Sequence, residues 1–407
     1  MGIHLAALFH PKARRWVQGR RHLMARLRAQ VEGKGPVVWM HCASLGEFEQ
    51  GRPLLEAIRR DYPHYRLLLT FFSPSGYEIR KNFPGADWVF YLPLDGPATA
   101  RQFLEIVQPR LVIFVKYEFW YYYLKKIKYR QIPLVLVSAL FLEKMSFFRW
   151  YGALSRKMLS RFDQLFVQDS HSEQLLARLG LQSITRISGD TRFDRVVMIA
   201  EQAAPNPLVE KFAAGRKLIV AGSTWPADEE LLKKTSDLFS PDTFALVIAP
   251  HEIHASHLAT IEEKFSGIIR YSALAANGGS HNAAQYSVLL IDNIGLLSQL
   301  YRHAWVCFIG GGFGKGIHNT LEAAVYGKPV FFGPVHHKFR EALELKKVQG
   351  AFSVSNEQEW GLLLQNLLIN PTLYSEAARA SAVYVRDRVG ATDIIMRYFQ
   401  ENRLLTN

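Results

Sequence analysis

From residue 36 onward the chain alternates between short runs of β-branched, aliphatic and aromatic residues and longer segments with helical spacing. This alternation constrains the fold class more than any other feature. "PVVWMHCA", "RLLLTFF", "DWVFYLP", "RLVIFVKY", "IPLVLVSA" and "QLFVQD" come first, each followed by a helical pattern. A polar stretch, "AEQAAPNPLVEKFAAGRK" (200–217), interrupts the series, which resumes with "KLIVAGST", "FALVIAP", "SVLLID", "AWVCFIGGG" and "KPVFFGP". Short apolar strands joined through helices form parallel sheets wrapped by those helices. The sequence therefore predicts an α/β protein of two successive Rossmann-like parallel-sheet domains facing a central cleft. At 407 residues the length suits two domains of ordinary size. The expected divisions are a basic amphipathic segment at 1–33, a first domain at 34–200, a linker at 201–216, a second domain at 217–385 and a terminal helix at 386–407. "AANGGSHNAAQ" (275–285) reads as a surface loop. Ligands of such sheets gather at the carboxyl ends of strands, so the chemistry is expected just after each run.

The chain has 49 Lys+Arg against 36 Asp+Glu, a formal charge of +13, which points to an anionic partner. Nucleic acid, a phospholipid surface and a phosphorylated substrate all qualify. Cys42 and Cys307 lie far apart in apolar runs, a pattern of reduced buried thiols and hence of a cytosolic protein. No run approaches the roughly 18 apolar residues of a spanning helix. Near the start, Arg14, Arg15, Arg20, Arg21, Arg26 and Arg28 stand among Trp16, Leu23, Met24 and Leu27. That composition suits either an anionic lipid surface or a basic helix packed on its own domain. "KYEFWYYYLKKIKYR" (116–130) and "KMSFFRWYGALSRKML" (144–159) mix aromatics with lysines in the same way. Each reads as a lipid-headgroup boundary, a single-strand platform or an ordinary helix with an apolar stripe. No helix-turn-helix, RNA-recognition or zinc-finger pattern accompanies them, which disfavours nucleic acid.

Ser44-Leu45-Gly46-Glu47 follows the first strand and fits a capping box, in which the glutamate reaches back to the cap's amide. A carboxylate at that point can equally serve as a base toward a hydroxyl nucleophile. "CFIGGGFGKGIHNTLEAAVYGKPV" (307–330) reads as a strand, a glycine-rich turn and a helix beginning near His318-Asn319, the outline of a phosphate cradle. The Walker A spacing is absent, which disfavours nucleoside triphosphate hydrolysis. Glu322 is either an acceptor for ribose hydroxyls or a solvated helix residue. "APHEIHASH" offers His251, Glu252, His254 and His257 without the His-Glu-x-x-His spacing, so a loop touching an anion is favoured over a metal site. Glu118 stands just past a strand.

Taken in order, "HCASLGE", "YLPLD", "KYEFW", "GDTRFD", "AGSTW", "DNIGLLSQLY" and "GGGFGKGIHNTLEAAVYGKPVFFGP" resemble the Kdo transferases, which attach 3-deoxy-D-manno-octulosonic acid from CMP-Kdo to the lipid A precursor. The resemblance implies a GT-B glycosyltransferase with an acceptor-binding N-domain, a nucleotide-binding C-domain and a last helix crossing back to the first. It implies Glu47 as general base, with Glu118 and Arg192 stabilising the transition state. For CMP-Kdo it implies Pro250-His251, Gly295-Leu296-Leu297 and Asn319-Thr320-Leu321-Glu322, joined by Ser223, Thr224, Gly311, Gly312 and His318. It further implies no cofactor and no metal, lipid IVA as acceptor, an anionic inner-membrane surface as partner, and no nucleic acid. Arg192 stands where the family usually has lysine, His251 where it has arginine and Leu296 where it has glutamate. The alternatives are another GT-B nucleotide-sugar transferase and a non-catalytic protein binding anionic membranes or nucleic acid.

Overall fold

The structure is a computed structural model describing residues 2–237, 240–276 and 283–406, with side chains from residue 6. It divides into two compact units, Met1–Arg195 with Val389–Asn407, and Val196–Arg388. The boundary falls within helix Thr191–Gln202.

The first unit is built on a seven-stranded parallel sheet of β1 (Val37–Cys42), β2 (Arg66–Phe71), β3 (Trp88–Tyr91), β4 (Pro109–Val115), β5 (Leu134–Ala139), β6 (Gln164–Val167) and β7 (Thr185–Ile187), in the order β3-β2-β1-β4-β5-β6-β7. The order reverses between β1 and β4, the switch point at which open α/β sheets leave a crevice for ligands. Both faces are apolar because successive side chains of a strand point to opposite sides. Val37 and Trp39 enter one core cluster and Val38 and Met40 the other. On the first face helix Leu23–Val31 buries Leu23, Leu27 and Val31 at four-residue spacing. On the second face lies helix Ala391–Glu401, with Ile395, Met396 and Phe399 in the cluster that holds Leu54 and Ile58 of helix Leu45–Asp61. Asp194 sets the start of that last helix, accepting from the amides of Gly390 (2.6 Å) and Thr392 (2.7 Å).

The segment 1–33 forms helices Gly2–Phe9, Pro11–Gly19 and Leu23–Val31. Trp16 is buried, and the Arg20 guanidinium lies 3.9 Å over its ring while donating to the carbonyls of Leu92 (3.0 Å) and Phe72 (2.9 Å). Packing on its own domain thus accounts for the inner face, while Arg14, Arg15, Arg21 and Arg28 are exposed. The segment 116–130 becomes helix Tyr121–Tyr129 with Tyr123, Leu124 and Ile127 buried, which is the ordinary apolar stripe. In 144–159, by contrast, Trp150 and Tyr151 are exposed. Among the described residues no helix is long and apolar enough to cross a membrane.

The second unit repeats the plan with β8 (Lys217–Thr224), β9 (Phe244–Pro250), β10 (Ile268–Arg270), β11 (Val288–Leu290), β12 (Val306–Ile309), β13 (Val330–Phe332) and β14 (Ala351–Ser353), ordered β10-β11-β9-β8-β12-β13-β14 and parallel throughout. Its switch point lies between β8 and β12. Five expectations differ from this fold, two of them the first domain's end, at Arg195 rather than 200, and the last helix, Ala391–Glu401 rather than 386–407. The stretch 201–216, read as a linker, lies in the second unit and carries helix Pro207–Ala213, which Asn206 caps and which buries Val209 and Phe212. The second unit runs on to Arg388 rather than 385. Of the loop expected at 275–285, residues 275–276 end helix Tyr271–Ala276, 283–285 form a 3-10 turn, and 277–282 lie outside the described residues.

Candidate active site

In the first unit the residues following the two switch-point strands come together. Glu47 opens helix Leu45–Asp61 after β1, and its Oε2 accepts from the amides of Ala43 (2.5 Å) and Ser44 (3.1 Å). The capping and catalytic readings therefore describe one carboxylate. It is half-buried, and burial, followed by the nearby charge of Glu118, pushes its pKa up to about 7 against the pull of the two amides and His41. A base that takes up its proton near neutrality is well matched to receive one from a hydroxyl.

Glu118 follows β4 by way of Lys116, whose φ of 67° places a non-glycine residue in the left-handed region. The Glu118 carboxylate is buried and accepts from Trp120 Nε1 at 2.6 Å. His41, the penultimate residue of β1, is fully buried with Nε2 2.7 Å from Glu118 Oε2. The approach lacks hydrogen-bond angles, and it is an ion pair only with a protonated ring. On its other side His41 Nδ1 lies 3.0 Å from the Thr70 carbonyl oxygen and 2.9 Å from its hydroxyl. Arg192 opens helix Thr191–Gln202, with Nε and Nη2 donating to Asp190 Oδ2 at 2.9 and 2.8 Å. Asp190 is buried. Although burial itself acts the other way, the Arg192 charge and the bonds from Arg192 and Gln50 hold its carboxyl below the usual range. Sequence reasoning missed His41, Thr70, Trp120 and Asp190. The first and the last two lay inside quoted motifs, but only the fold shows that they contact the carboxylates and Arg192.

In the second unit the donor candidates also gather at the switch point. Ser223 and Thr224 end β8, Ser223 with φ 54°, and the Thr224 carbonyl accepts from the His251 amide at 3.0 Å, beside Pro250 at the end of β9. Three rings line this end. Trp225 stacks on His251 (centroids 4.8 Å), His251 on His318 (4.4 Å), and Trp225 Nε1 donates to His318 Nε2 at 3.1 Å. Accepting that bond requires an unprotonated Nε2, and burial with His251 alongside lowers the His318 pKa to about 4. Leu297 packs where a Cβ on Gly222 of β8 would stand, 2.7 Å from its Cδ1, while Gly295 (φ 95°) turns the chain and Leu296 is half-buried.

The glycine-rich loop differs from the expected cradle. Its helix is the single turn Leu321–Ala324, starting after His318-Asn319, with Asn319 capping Leu321 and donating to Glu322 Oε1 at 3.0 Å. The amides of Gly310, Gly314, Gly316 and His318 bond within the protein, and that of Gly311 donates to Asp228 Oδ2 at 2.8 Å. The glycines serve close packing. A Cβ on Gly310 would stand 2.3 Å from the Ser223 carbonyl oxygen, and one on Gly312 2.5 Å from the Gly333 nitrogen. Asp228, another residue the sequence did not disclose, is fully buried, and burial raises its pKa to about 6. Thr320 is buried as well. The histidine-rich stretch is tied up internally, with His254 capping helix Ala255–Lys264 and His257 Nε2 3.1 Å from Glu229. Among the described residues no group of three His, Cys, Asp or Glu side chains is placed to hold a metal ion.

Comparison with known proteins gives these sites a context. Residues 17–195 match the family model described as 3-deoxy-D-manno-octulosonic-acid transferase (kdotransferase). The 3-deoxy-D-manno-octulosonic acid transferase of Aquifex aeolicus is 29% identical over 337 residues, covering 81% of this chain and 86% of that protein. That of Haemophilus influenzae is 28% identical over 331 residues, covering 78% of this chain and 76% of the relative. Among solved structures, UDP-GlcNAc 2-epimerase from Neisseria meningitidis superposes with a TM-score of 0.60 at 16% identity, over 90% of this chain and 100% of that one. A putative UDP-N-acetylglucosamine 2-epimerase from Listeria monocytogenes gives 0.59 at 15% identity, over 91% and 98%. These two likenesses establish the GT-B-like fold of paired parallel-sheet domains. With the family's N-terminal domain at residues 17–195 and sequence similarity over most of its length, the chain is a homologue of the Kdo transferases.

Proposed function

We propose that this glycosyltransferase homologue moves Kdo from CMP-Kdo to a sugar hydroxyl of the lipid A precursor lipid IVA, with inversion and without a metal. The observation that carries the reading is Glu47, a half-buried carboxylate at the first switch point whose proton affinity is raised to about 7. In a single displacement the acceptor hydroxyl loses its proton to Glu47 and its oxygen bonds to the anomeric carbon of Kdo. The bond from that carbon to the CMP phosphate breaks, and its electron pair leaves with CMP. Glu118 and Arg192 orient the reacting groups and stabilise the developing charge. A monophosphate leaving group carries less charge than a diphosphate, so protein dipoles and cations suffice for it.

In the second unit the Trp225-His251-His318 rings offer a flat wall for the cytosine, with Ser223, Thr224, Pro250, the turn at Gly295-Leu296-Leu297 and the stretch from Asn319 through Thr320 and Leu321 to Glu322 around it. The neutral His318 and the internally bonded glycine loop favour contacts to base and ribose over a wrapped phosphate. The formal +13 and the exposed arginines of residues 14–28 suit a phosphorylated glycolipid on an anionic inner-membrane surface. Mass spectrometry of the lipid formed from CMP-Kdo and a tetra-acylated precursor tests the reading. Addition of Kdo is expected. An unchanged lipid, together with binding of UMP or an oligonucleotide in preference to CMP, would move the chain to a different reaction.

A further inference from the structure

Asp228 and Glu229 lie in the first turn of helix Pro226–Ser236, directly after β8, and both side chains are fully buried. Adjacent carboxylates taken out of water are costly unless other groups bond to them, and apolar side chains in such places often make a fold more stable. Burial raises the Asp228 pKa to about 6, which records that cost. Capping of the helix accounts for one contact only, from the Trp225 amide to Asp228 Oδ2 at 2.8 Å. The other bonds lead to the segments that carry the donor candidates. The same Asp228 oxygen accepts from the Gly311 amide at 2.8 Å, which joins the glycine-rich loop after β12 to the end of β8. Glu229 Oε1 accepts from the Thr224 hydroxyl at 3.1 Å, and Glu229 Oε2 is hydrogen-bonded with His257 Nε2 at 3.1 Å. The other ring nitrogen, Nδ1, lies 2.8 Å from the Glu252 carbonyl oxygen, and since a carbonyl can only accept, Nδ1 donates. Through His257, Glu229 thus reaches the stretch between Pro250-His251 and helix Ala255–Lys264.

We infer that Asp228 and Glu229 are positioning residues of the donor site. Asp228 fixes the glycine-rich loop, while Glu229 fixes the Thr224 hydroxyl and, by way of His257, the backbone next to His251. Segments far apart in sequence, at 224, 250–254 and 311, are in this way set by two consecutive side chains. The inference rests on these segments forming the CMP pocket proposed above. It also gives His257 a use, as a strut between a buried carboxylate and a loop carbonyl.

The two sets of bonds can be cut separately in the full chain. Asp228→Ala releases the Gly311 amide, and Glu229→Ala releases Thr224 and His257. Amide hydrogen exchange should rise in peptides spanning 310–318 for the first variant and 250–257 for the second, each leaving the other stretch near wild type. CMP affinity by calorimetry, measured well below each melting temperature, should weaken about tenfold in both. Asp228→Asn keeps the accepting oxygen, and Glu229→Gln keeps an oxygen for Thr224 and gains an NH2 that can donate to an unprotonated His257 Nε2, so each should restore most of what its alanine counterpart loses. Leu364→Ala, in the core of the same unit, serves as the control, since it lowers melting without touching these bonds and should leave CMP affinity unchanged. His257→Ala cuts the same strut at a half-buried ring and keeps the test readable where Glu229→Ala does not fold. CMP affinity in the folded alanine variants equal to that of Leu364→Ala, or no recovery with Asn and Gln, would overturn the inference. A wild-type chain that binds CMP but makes no Kdo-lipid sinks the proposed reaction alone, and alanine variants that bind CMP as the wild type does sink this inference alone.

Discussion

Replacing Glu47 by Gln should make the protein slower and, above neutral pH, more stable. The amide oxygen of Gln can still accept from Ala43 and Ser44, so the start of helix Leu45–Asp61 is kept while the base is lost. Removing a general base costs on the order of 10²–10⁴ in rate. The stability term follows from the pKa. A carboxyl raised from 4.5 to about 7 by folding favours the folded state fully below the lower value, and that contribution is lost as pH rises through about 7. At about 1.4 kcal/mol per unit the ceiling is about 3 kcal/mol, and weaker bonds from the neutral amide return about 1 kcal/mol of it. Melting of the two proteins in parallel from pH 4 to 8.5 should show equal stability at the acid end. At pH 8 the variant should lead by a few degrees, at about 2–4 °C per kcal/mol for a domain of this size. The wild-type kcat/KM should fall on the acid side with a midpoint near 7. A difference in melting temperature that does not change with pH, or a variant retaining more than about a tenth of the activity, would refute the reasoning.

Other outcomes follow from the same geometry. His318, with its pKa lowered from 6.5 to about 4, makes the second unit lose stability as pH falls between those values, so His318→Gln should gain on the wild type over that window in acid melting curves. Gly311→Ala puts a Cβ 2.4 Å from the Gly316 carbonyl oxygen at a φ of 91°, which should cost about 1–3 kcal/mol and weaken CMP binding measured by calorimetry. Neutralising the exposed Arg15 and Arg21 should reduce sedimentation with anionic liposomes while leaving melting unchanged. Arg20→Gln should lower melting instead, because its guanidinium is held between Trp16 and the Phe72 and Leu92 carbonyls. Activity should persist in EDTA, and loss restored by one particular divalent metal would refute the metal-free reading.

The sheets were legible because their inner strands are apolar on both faces. Eleven runs expected from sequence coincide with β1–β6, β8, β9 and β11–β13. The three strands that escaped, β7, β10 and β14, have three residues each and lie at sheet edges. One neighbour and a half-exposed face leave no periodicity to read. Helix Pro207–Ala213 was mistaken for a connection because Pro205 and Pro207 flank its start, although Asn206 followed by proline is itself a helix opening. In the site, residues at strand ends could be found from position alone. Their partners could not, because Thr70 reaches His41 across a neighbouring strand and Asp228 meets Gly311 from 83 residues away. The glycine loop misled for a related reason. Glycine is required both where an anion approaches a backbone and where two backbones approach one another, and the sequence is the same in either case.

The capture of helix Ala391–Glu401 by Asp194 bears on how the molecule is made. A ribosome adding about 5–20 residues per second releases residue 195 some ten seconds or more before the helix that covers Leu54 and Ile58 exists. During that interval the nascent sheet exposes a greasy stripe, and the second unit can complete itself first. A message cut short near codon 388 would leave the stripe permanently bare, so loss of a score of residues far from Glu47 in sequence should send the product to chaperones and proteases.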